Sequence, residues 1–234
     1  MSENNNKRYA IIVAGGSGKR FGSEVPKQFL PLDGKAVLMR TIEKFDQAGA
    51  AIVVVLPAEH QQMWIDMCKD SNFPVTHTIA TGGKTRFESV KNGIAAIDDL
   101  NDSDLVAVHD GVRPLASVEL INRCYDTAQQ SGSAIPVVSP SDSIRQVFDD
   151  GSSKQLLRSS LRAVQTPQTF KAELLKGAYD VDESPLFTDD ASVVESAGHQ
   201  VTLVEGEMTN IKITTPIDMY LADKLTRNEL TRQL

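Results

Sequence analysis

Apolar residues along the chain form short continuous runs, separated by longer stretches in which they recur at helical spacing. The runs are short enough to be strands buried in a parallel sheet. They predict strands at Tyr9–Ala14, Ala51–Leu56, Val75–Ala80, Leu105–His109 and Ser133–Val138. The stretches between them predict helices near Val37–Ala48, Glu59–Asp70, Thr85–Ile97 and Val118–Ser131. Strands that alternate with helices pair in parallel through right-handed crossovers, so we expect an α/β three-layer sandwich with a mostly parallel, Rossmann-like sheet.

This alternation stops after Pro140. A short apolar run at Ser143–Phe148, a turn at 149–152 and a polar return at 154–164 predict a β-hairpin arm over residues 141–165. We expect one domain over residues 1–234, with the arm as an insertion. The remaining residues predict helices near Lys171–Asp180 and Thr188–Ala197, strands at Gln200–Glu205 and Asn210–Ile213, and a final helix from Pro216.

Composition narrows the class of protein. The 234 residues carry a net charge of −7, which argues against general binding to nucleic acid or anionic membranes. No apolar stretch approaches the roughly 20 residues that span a bilayer, and the polar start lacks a signal-peptide core. Cys68 and Cys124 lie far apart, as reduced thiols of a cytoplasmic protein do. The four histidines show no metal-ligand spacing, which disfavours a zinc site.

A glycine-rich turn directly follows the first predicted strand. Gly15, Gly16 and Gly18 expose backbone N–H groups, which form an anion-binding concavity. Arg20 and Lys27 follow closely, and the carboxyl ends of strands are where ligands bind open α/β sheets. The pattern favours a polyphosphate site over the alternative, a tight turn with solvated charges.

Two common nucleotide motifs do not fit this turn. A Walker A loop needs Ser or Thr after Gly18-Lys19, where this chain has Arg20. The dinucleotide pattern that starts at Gly16 needs a glycine at Phe21, and the second strand ends in Pro57 instead of an acidic residue. An NAD-dependent oxidoreductase therefore has only the alternating α/β pattern in its favour.

Five motifs along the chain resemble those of one enzyme family. They are AGGSGKRFGSEVPKQFLPL (14–32), GGKTRFESV (82–90), HDGVRP (109–114), RSSLRAVQTPQTF (158–170), and TDDASVVE with NIKITTP (188–195 and 210–216). Their order and spacing are similar to those of the 2-C-methyl-D-erythritol 4-phosphate cytidylyltransferases of non-mevalonate isoprenoid biosynthesis. That family transfers CMP from CTP to the polyol phosphate and releases pyrophosphate. Ribitol 5-phosphate cytidylyltransferases share most of the motifs, so ribitol 5-phosphate is the alternative substrate, and a non-catalytic nucleotide-binding regulator is the alternative class.

The resemblance implies four cations for the chemistry. Arg20 and Lys27 match residues that stabilise the transition state, and Arg158 and Lys212 match residues that position the substrates. An attacking phosphate is already anionic, so this reaction needs positioning and charge stabilisation, with no strong general base. From the residues alone, Arg158 also fits a solvated edge, and Lys212 an outward-facing charge on an alternating strand.

The resemblance also implies the binding residues, although Lys84 replaces the acidic residue that often follows the glycine pair. Asp110 resembles an aspartate between ribose, metal and sugar, so it is the candidate ligand for the Mg²⁺ that a triphosphate implies. The implied nucleotide-binding residues are Ala14, Gly15, Gly16, Gly18, Gly82, Gly83, Ser89 and Asp110. The implied polyol-phosphate residues are Arg113, Ser143, Arg158, Thr166 and Thr188.

The arm predicts an assembly. Ile144, Val147 and Phe148 have poor access to the core of their own domain, and pairing with the same arm of a second chain would bury them. The resembled family forms dimers whose arms close each other's sites. We therefore expect a homodimer formed through residues 141–165.

Overall fold

A mostly parallel sheet runs through the centre of the protein. The computed structural model describes residues 6–16 and 25–227. The strands are β1 (Arg8–Val13), β2 (Pro31–Leu32), β3 (Lys35–Ala36), β4 (Ala51–Leu56), β5 (Thr78–Thr81), β6 (Leu105–Asp110), β7 (Ser133–Val138), β8 (Arg145–Val147), β9 (Ser153–Gln155), β10 (Ala163–Val164), β11 (Gln168–Lys171) and β12 (Leu203–Glu205). The helices are α1 (Val37–Gln47), α2 (Ala58–Asp70), α3 (Arg86–Ala95), α4 (Val118–Ser131), α5 (Ala172–Ala178), α6 (Asp190–Ser196) and α7 (Pro216–Thr226).

The strand order of the central sheet is β10-β7-β11-β6-β1-β4-β5, with β12 paired to β7. The strands β6, β1, β4 and β5 are parallel neighbours, so their carboxyl ends lie at one edge. The strand β11 is antiparallel to both β6 and β7. This arrangement confirms the predicted α/β class.

Alternating side chains of the sheet fill two separate cores, because successive strand residues point to opposite faces. Ile12 of β1 packs on the face covered by α1, α2 and α4, whereas Ile11 packs on the face covered by α3, α5 and α6. Both side chains are fully buried. A sheet covered on both faces is the predicted three-layer sandwich.

Several secondary-structure elements differ from the predictions, among them the strand predicted at Gln200–Glu205, which begins at Leu203. The third strand begins at Thr78 rather than Val75 and ends at Thr81. The predicted strand Asn210–Ile213 is a loop that joins no sheet, although the Ile213 amide donates to the Val112 carbonyl at 2.9 Å. The sequence reading also missed β11, a short antiparallel strand that begins directly after the cis Thr166–Pro167 bond.

The predicted hairpin is present within residues 141–165. Its strands β8 and β9 pair antiparallel, with Arg145 opposite Gln155 and Val147 opposite Ser153. The chain leaves the central sheet at the end of β7 and returns at β10, and these two strands pair with each other. Among the described residues, no helix is long and apolar enough to cross a membrane.

Candidate active site

A cavity of about 310 Å³ opens at the carboxyl edge of the sheet. Its walls come from the ends of β1 and β6, the start of α3, the residues before α1 and the residues before α7. The lining residues are Val13, Ala14, Gly15, Gly16, Lys27, Gln28, Gly83, Lys84, Thr85, Arg86, Ser89, Asp110, Val112 and Lys212. The structure therefore brings together eight residues of the predicted site: Ala14, Gly15, Gly16, Lys27, Gly83, Ser89, Asp110 and Lys212.

Backbone hydrogen bonds continue past the strand ends and hold three turns side by side. The amide of Ala14 donates to the Val55 carbonyl at 2.9 Å, that of Gly82 to Leu56 at 2.8 Å, and that of Gly111 to Val13 at 2.9 Å. Beyond this ladder, a Cβ on Gly15 or Gly16 would meet no described atom within 4 Å. Within residues 6–16 and 25–227, nothing therefore fills the space beside these two glycines.

The loop before α3 is fixed by side chains of the helix itself. Thr85 caps α3, because its Oγ1 accepts the Glu88 amide at 3.1 Å. Ser89 Oγ accepts the Gly83 amide at 3.1 Å and donates to the Thr85 carbonyl at 2.7 Å. A Cβ on Gly83 would lie 2.2 Å from the Glu88 Cβ, so only glycine permits this close approach. The predicted residues Gly83 and Ser89 thus form one wall of the cavity, the glycine wall, whereas the predicted Gly82 does not line the cavity and bonds to the Leu56 carbonyl.

Lys27 and Gln28 lie in a short 3₁₀ helix, Lys27–Phe29, and both are buried. The Gln28 Nε2 donates to the Ala14 carbonyl at 2.8 Å. This bond ties the residues after the glycine loop to the strand before it. Within residues 6–16 and 25–227, the buried Gln28 Oε1 has no hydrogen-bond partner. Sequence reasoning had not selected Gln28.

Asp110 lies opposite the glycine wall, among cations. Its Oδ2 contacts Lys212 Nζ at 3.1 Å and Arg113 Nε at 3.1 Å. Burial alone would raise the pKa of Asp110, but Lys212, Arg86 and Arg113 together lower that pKa well below its ordinary value. The carboxylate is therefore ionised at neutral pH.

The buried His109 helps to hold Asp110 in place through hydrogen bonds to Thr166 and to the backbone of Arg113. Because a carbonyl only accepts, His109 Nε2 donates to the Arg113 carbonyl at 3.0 Å. The other ring nitrogen, Nδ1, then accepts from Thr166 Oγ1 at 3.0 Å, and Thr166 Oγ1 accepts the Asp110 amide at 3.1 Å. Burial lowers the pKa of His109 to about 4, which keeps the ring neutral.

This network accounts for two of the predicted polyol-phosphate residues. Thr166 is buried and bonded within the protein. Arg113 is committed to Asp110 and, through Nη1, to the Asn210 carbonyl at 2.8 Å. The Asn210 side chain donates to the Thr166 carbonyl at 2.8 Å, which anchors the segment that carries Lys212. All three residues hold the cavity together.

Arg86 is a cavity residue that sequence reasoning missed. Its Nη1 and Nη2 donate to the two carboxylate oxygens of Asp190 at 2.9 and 2.6 Å. Partial burial opposes the charge of Arg86, but the pairing with Asp190 raises its pKa above the ordinary value. The two residues are 104 positions apart, so no local pattern could reveal the pair.

The remaining predicted residues lie away from the cavity. Ser143 and Arg158 line a separate, open concavity of about 820 Å³ at the base of the arm. There the Arg158 Nη1 donates to the Ser141 carbonyl at 2.7 Å. Thr188 is exposed just before α6, with its amide donating to Ser192 Oγ at 3.0 Å. Gly18 and Arg20 lie outside the described residues.

Among the described residues, no group of three or more His, Cys, Asp or Glu side chains is placed to hold a metal ion. Asp110 is the single acidic residue of the described cavity lining. An ionised carboxylate beside a triphosphate suits Mg²⁺, which binds through phosphates, waters and one or two carboxylates. The donor set therefore fits a magnesium ion that arrives with the nucleotide.

Comparisons with known proteins agree on one family. The profile of the 2-C-methyl-D-erythritol 4-phosphate cytidylyltransferases (IspD) matches residues 9–228. A curated protein of that name from Bacteroides thetaiotaomicron is 50% identical over 221 residues, covering 94% of this chain and 99% of its own. A Porphyromonas gingivalis protein of the same name is 47% identical and covers 94% of this chain and 97% of its own.

Solved structures give the same result. The 4-diphosphocytidyl-2C-methyl-D-erythritol synthase of Anaerococcus prevotii superposes with a TM-score of 0.79 at 27% identity, covering 95% of this chain and 99% of its own. The 2-C-methyl-D-erythritol 4-phosphate cytidylyltransferase of Thermus thermophilus gives 0.75 at 32% identity, covering 94% of this chain and 99% of its own.

Proposed function

This chain belongs to the 2-C-methyl-D-erythritol 4-phosphate cytidylyltransferase family, and we propose that its sheet-edge cavity joins CMP from CTP to 2-C-methyl-D-erythritol 4-phosphate. The family membership makes it a nucleotidyltransferase, not an NAD-dependent oxidoreductase or a regulator. It supports methylerythritol phosphate and gives no support to the ribitol alternative. The observation that carries the proposal is the convergence of Lys27, Lys212 and the glycine backbone on one cavity.

The reaction is a displacement at phosphorus. A phosphate oxygen of the polyol phosphate forms a bond to the α-phosphorus of CTP, the bond to the bridging oxygen breaks, and pyrophosphate leaves. Negative charge grows on the α-phosphate oxygens, where Lys27 and Lys212 supply ammonium groups in a partly dry site. We assign the cytosine edge to the side of the cavity lined by Gly83 and Ser89. We include Arg20 with Lys27 and Lys212 as a third cation that stabilises the transition state.

Asp110 is the residue that would hold magnesium. Its depressed pKa keeps it anionic, and the surrounding cations hold the carboxylate in place. When bound, Mg²⁺ neutralises part of the triphosphate charge. Residues of this chain then orient both substrates. Lys212 serves both, because it lines the cavity and also contacts Asp110.

We assign the polyol phosphate to cations beyond the cavity. Arg113 is turned inward, and Arg158 and Ser143 lie at the base of the exposed arm. We therefore include in the proposal a homodimer whose arms bring Arg158 and Ser143 to the partner's cavity. Free thiols at Cys68 and Cys124 support a cytoplasmic location, and the acidic net charge supports small-molecule substrates without nucleic acid.

The decisive experiment incubates the protein with CTP, Mg²⁺ and one polyol phosphate, and identifies the product by mass spectrometry. We expect 4-diphosphocytidyl-2-C-methyl-D-erythritol and an equal amount of pyrophosphate. Ribitol 5-phosphate serves as the matched second substrate. Turnover of ribitol 5-phosphate alone would replace the proposed substrate, and no product with either would overturn the proposed activity.

A further inference from the structure

A buried ion pair beside the cavity is not used by the chemistry described above. Arg86, the first residue of α3, lines the cavity with its side chain 31% exposed. Asp190, the first residue of α6, is fully buried and binds both terminal nitrogens of Arg86. The Tyr179 hydroxyl donates to the same carboxylate at 2.6 Å. The carboxylate is thus held by three donors.

The stability of the folded protein gives little reason to keep an ion pair at this position. Removing a carboxylate from water is costly, and replacing a buried ion pair with apolar side chains of similar volume is often neutral or stabilising. A two-pronged contact between arginine and carboxylate does fix the orientation of both groups. The pair therefore contributes geometry more than stability.

The residues on either side of Arg86, Thr85 and Phe87, also contact the region around α5 and α6. The Phe87 ring stacks on Tyr179 with centroids 4.7 Å apart, and Thr85 Oγ1 donates to Glu183 Oε2 at 3.0 Å. Residues 85–87 thus join the first turn of α3 to the α5–α6 region. This turn also carries the Thr85 and Ser89 bonds that shape the glycine wall. Any shift of α3 against α6 therefore moves the wall.

We propose that Arg86 and Asp190 are positioning residues of the nucleotide cavity: the Asp190 carboxylate holds Arg86 so that loop 82–85 faces Asp110 across a fixed gap. The inference rests on the proposed function, in which this cavity binds CTP. It assigns Asp190 an effect on nucleotide binding although its side chain is fully buried and does not line the cavity.

The test compares Asp190→Asn, Arg86→Met and the double variant Arg86→Met/Asp190→Leu. For each, calorimetry gives the Kd for CTP with Mg²⁺, steady-state assays give kcat and KM, and thermal unfolding gives Tm. We expect each single variant to weaken CTP binding about tenfold and to lower Tm, because Asp190→Asn leaves the Arg86 charge without its carboxylate and Arg86→Met leaves the buried carboxylate with Tyr179 alone. A misplaced wall also lowers kcat/KM for CTP by about 100-fold.

The double variant separates positioning from stability. Two apolar side chains remove the unpaired charge, so we expect Tm to recover towards the wild-type value while the weakened CTP binding persists. Tyr179→Phe keeps the ion pair and the stack on Phe87, and its effect on CTP binding should be the smallest. Asp102→Asn is the matched control, because it breaks the exposed pair with Lys176 of α5 outside the cavity.

Two results would overturn the inference. One is unchanged CTP affinity in Asp190→Asn, and the other is a double variant that recovers both Tm and CTP affinity, which would make the pair purely structural. Failure of the proposed function gives a different result, since wild-type protein would then bind CTP without converting methylerythritol phosphate. Wild-type protein that binds no CTP would overturn both.

Discussion

The cavity and the arm differ in how their polar side chains are held. In the cavity, Asp110 and Gln28 are buried, and they bond to Lys212 and to the Ala14 carbonyl. In the arm, the side chain of Arg158 bonds to a backbone carbonyl and remains exposed. Apolar side chains follow the same division, because Val147 and Leu157 of the arm are 70% and 71% exposed.

The cavity is therefore organised within one chain, whereas the apolar side chains of the arm are left exposed by that chain. Parallel strand ends supply fixed backbone positions, so the cavity needs no other molecule to define it. The arm lacks a core of its own, and burial of its apolar residues requires another surface. The four experiments below test whether nucleotide chemistry belongs to the first region and polyol recognition to the second.

The largest effect is expected from Lys27→Ala in the cavity. In the proposed reaction its charge acts on oxygens that become more negative in the transition state, so kcat should fall about 1000-fold while CTP affinity changes far less. Rapid-quench assays and calorimetry measure the two quantities. Lys35→Ala, at an exposed position, is the matched control. Equal losses in kcat and affinity would mean that Lys27 only binds ground-state nucleotide.

The dependence of stability on pH tests the buried His109, which lies next to the cavity residue Asp110. The pKa of His109 in the folded protein is about 4, below its ordinary 6.5. As the pH falls, the unfolded chain therefore becomes protonated at a higher pH than the folded protein does. The stability from neutral His109 is complete above about pH 6.5 and falls by about 3 kcal/mol as the pH drops to about 4. Urea titrations across this range should show the loss in wild-type protein.

His109→Gln provides the comparison, since glutamine keeps a donor and an acceptor but does not titrate. Its unfolding free energy should lack this part of the pH dependence. An unchanged pH profile would contradict the assignment to His109. The arm, residues 141–165, contains no histidine.

Arg158→Ala tests the arm. Loss of its charged contact should raise KM for methylerythritol phosphate about tenfold and leave CTP affinity unchanged. If the partner chain supplies Arg158, mixing this variant with Lys27→Ala creates dimers with one intact site. At low polyol phosphate, an equal mixture should reach about a quarter of the wild-type rate, more than either variant alone. No gain on mixing would place Arg158 at the site of its own chain.

The smallest effect is expected from Gln28→Met. The variant loses the bond to the Ala14 carbonyl, which ties together the two ends of the glycine loop. We expect KM for CTP to rise about fivefold, with a small loss of stability. Gln62→Met, which removes an exposed bond to Asp66 on α2, is the control. Identical kinetics in both variants would deny Gln28 a positioning role.

The sequence revealed the fold and the backbone part of the cavity. Buried parallel strands are continuous apolar runs, so their carboxyl ends, and the glycines that follow, could be located directly. Lys27 and Lys212 were found through the motifs around them. Lys212 lies on a loop instead of the predicted strand, yet it lines the cavity and contacts Asp110.

Long-range side-chain partners were not predictable. Arg86 and Asp190 are paired only because α3 and α6 meet on one face of the sheet. The strand β11 has four residues and follows a proline, too short for a recognisable apolar period. The inward orientation of Arg113 and Thr166 likewise depends on the fold around His109, which a motif does not encode.

The two ends of the arm meet where it joins the sheet. Val138 of β7 pairs with Ala163 of β10, so the intervening segment starts and finishes at neighbouring points. Such a closed excursion can change length or be grafted from a relative without altering the strand order. Natural variation can therefore lengthen, shorten or replace this projection while the cavity at the sheet edge stays as it is.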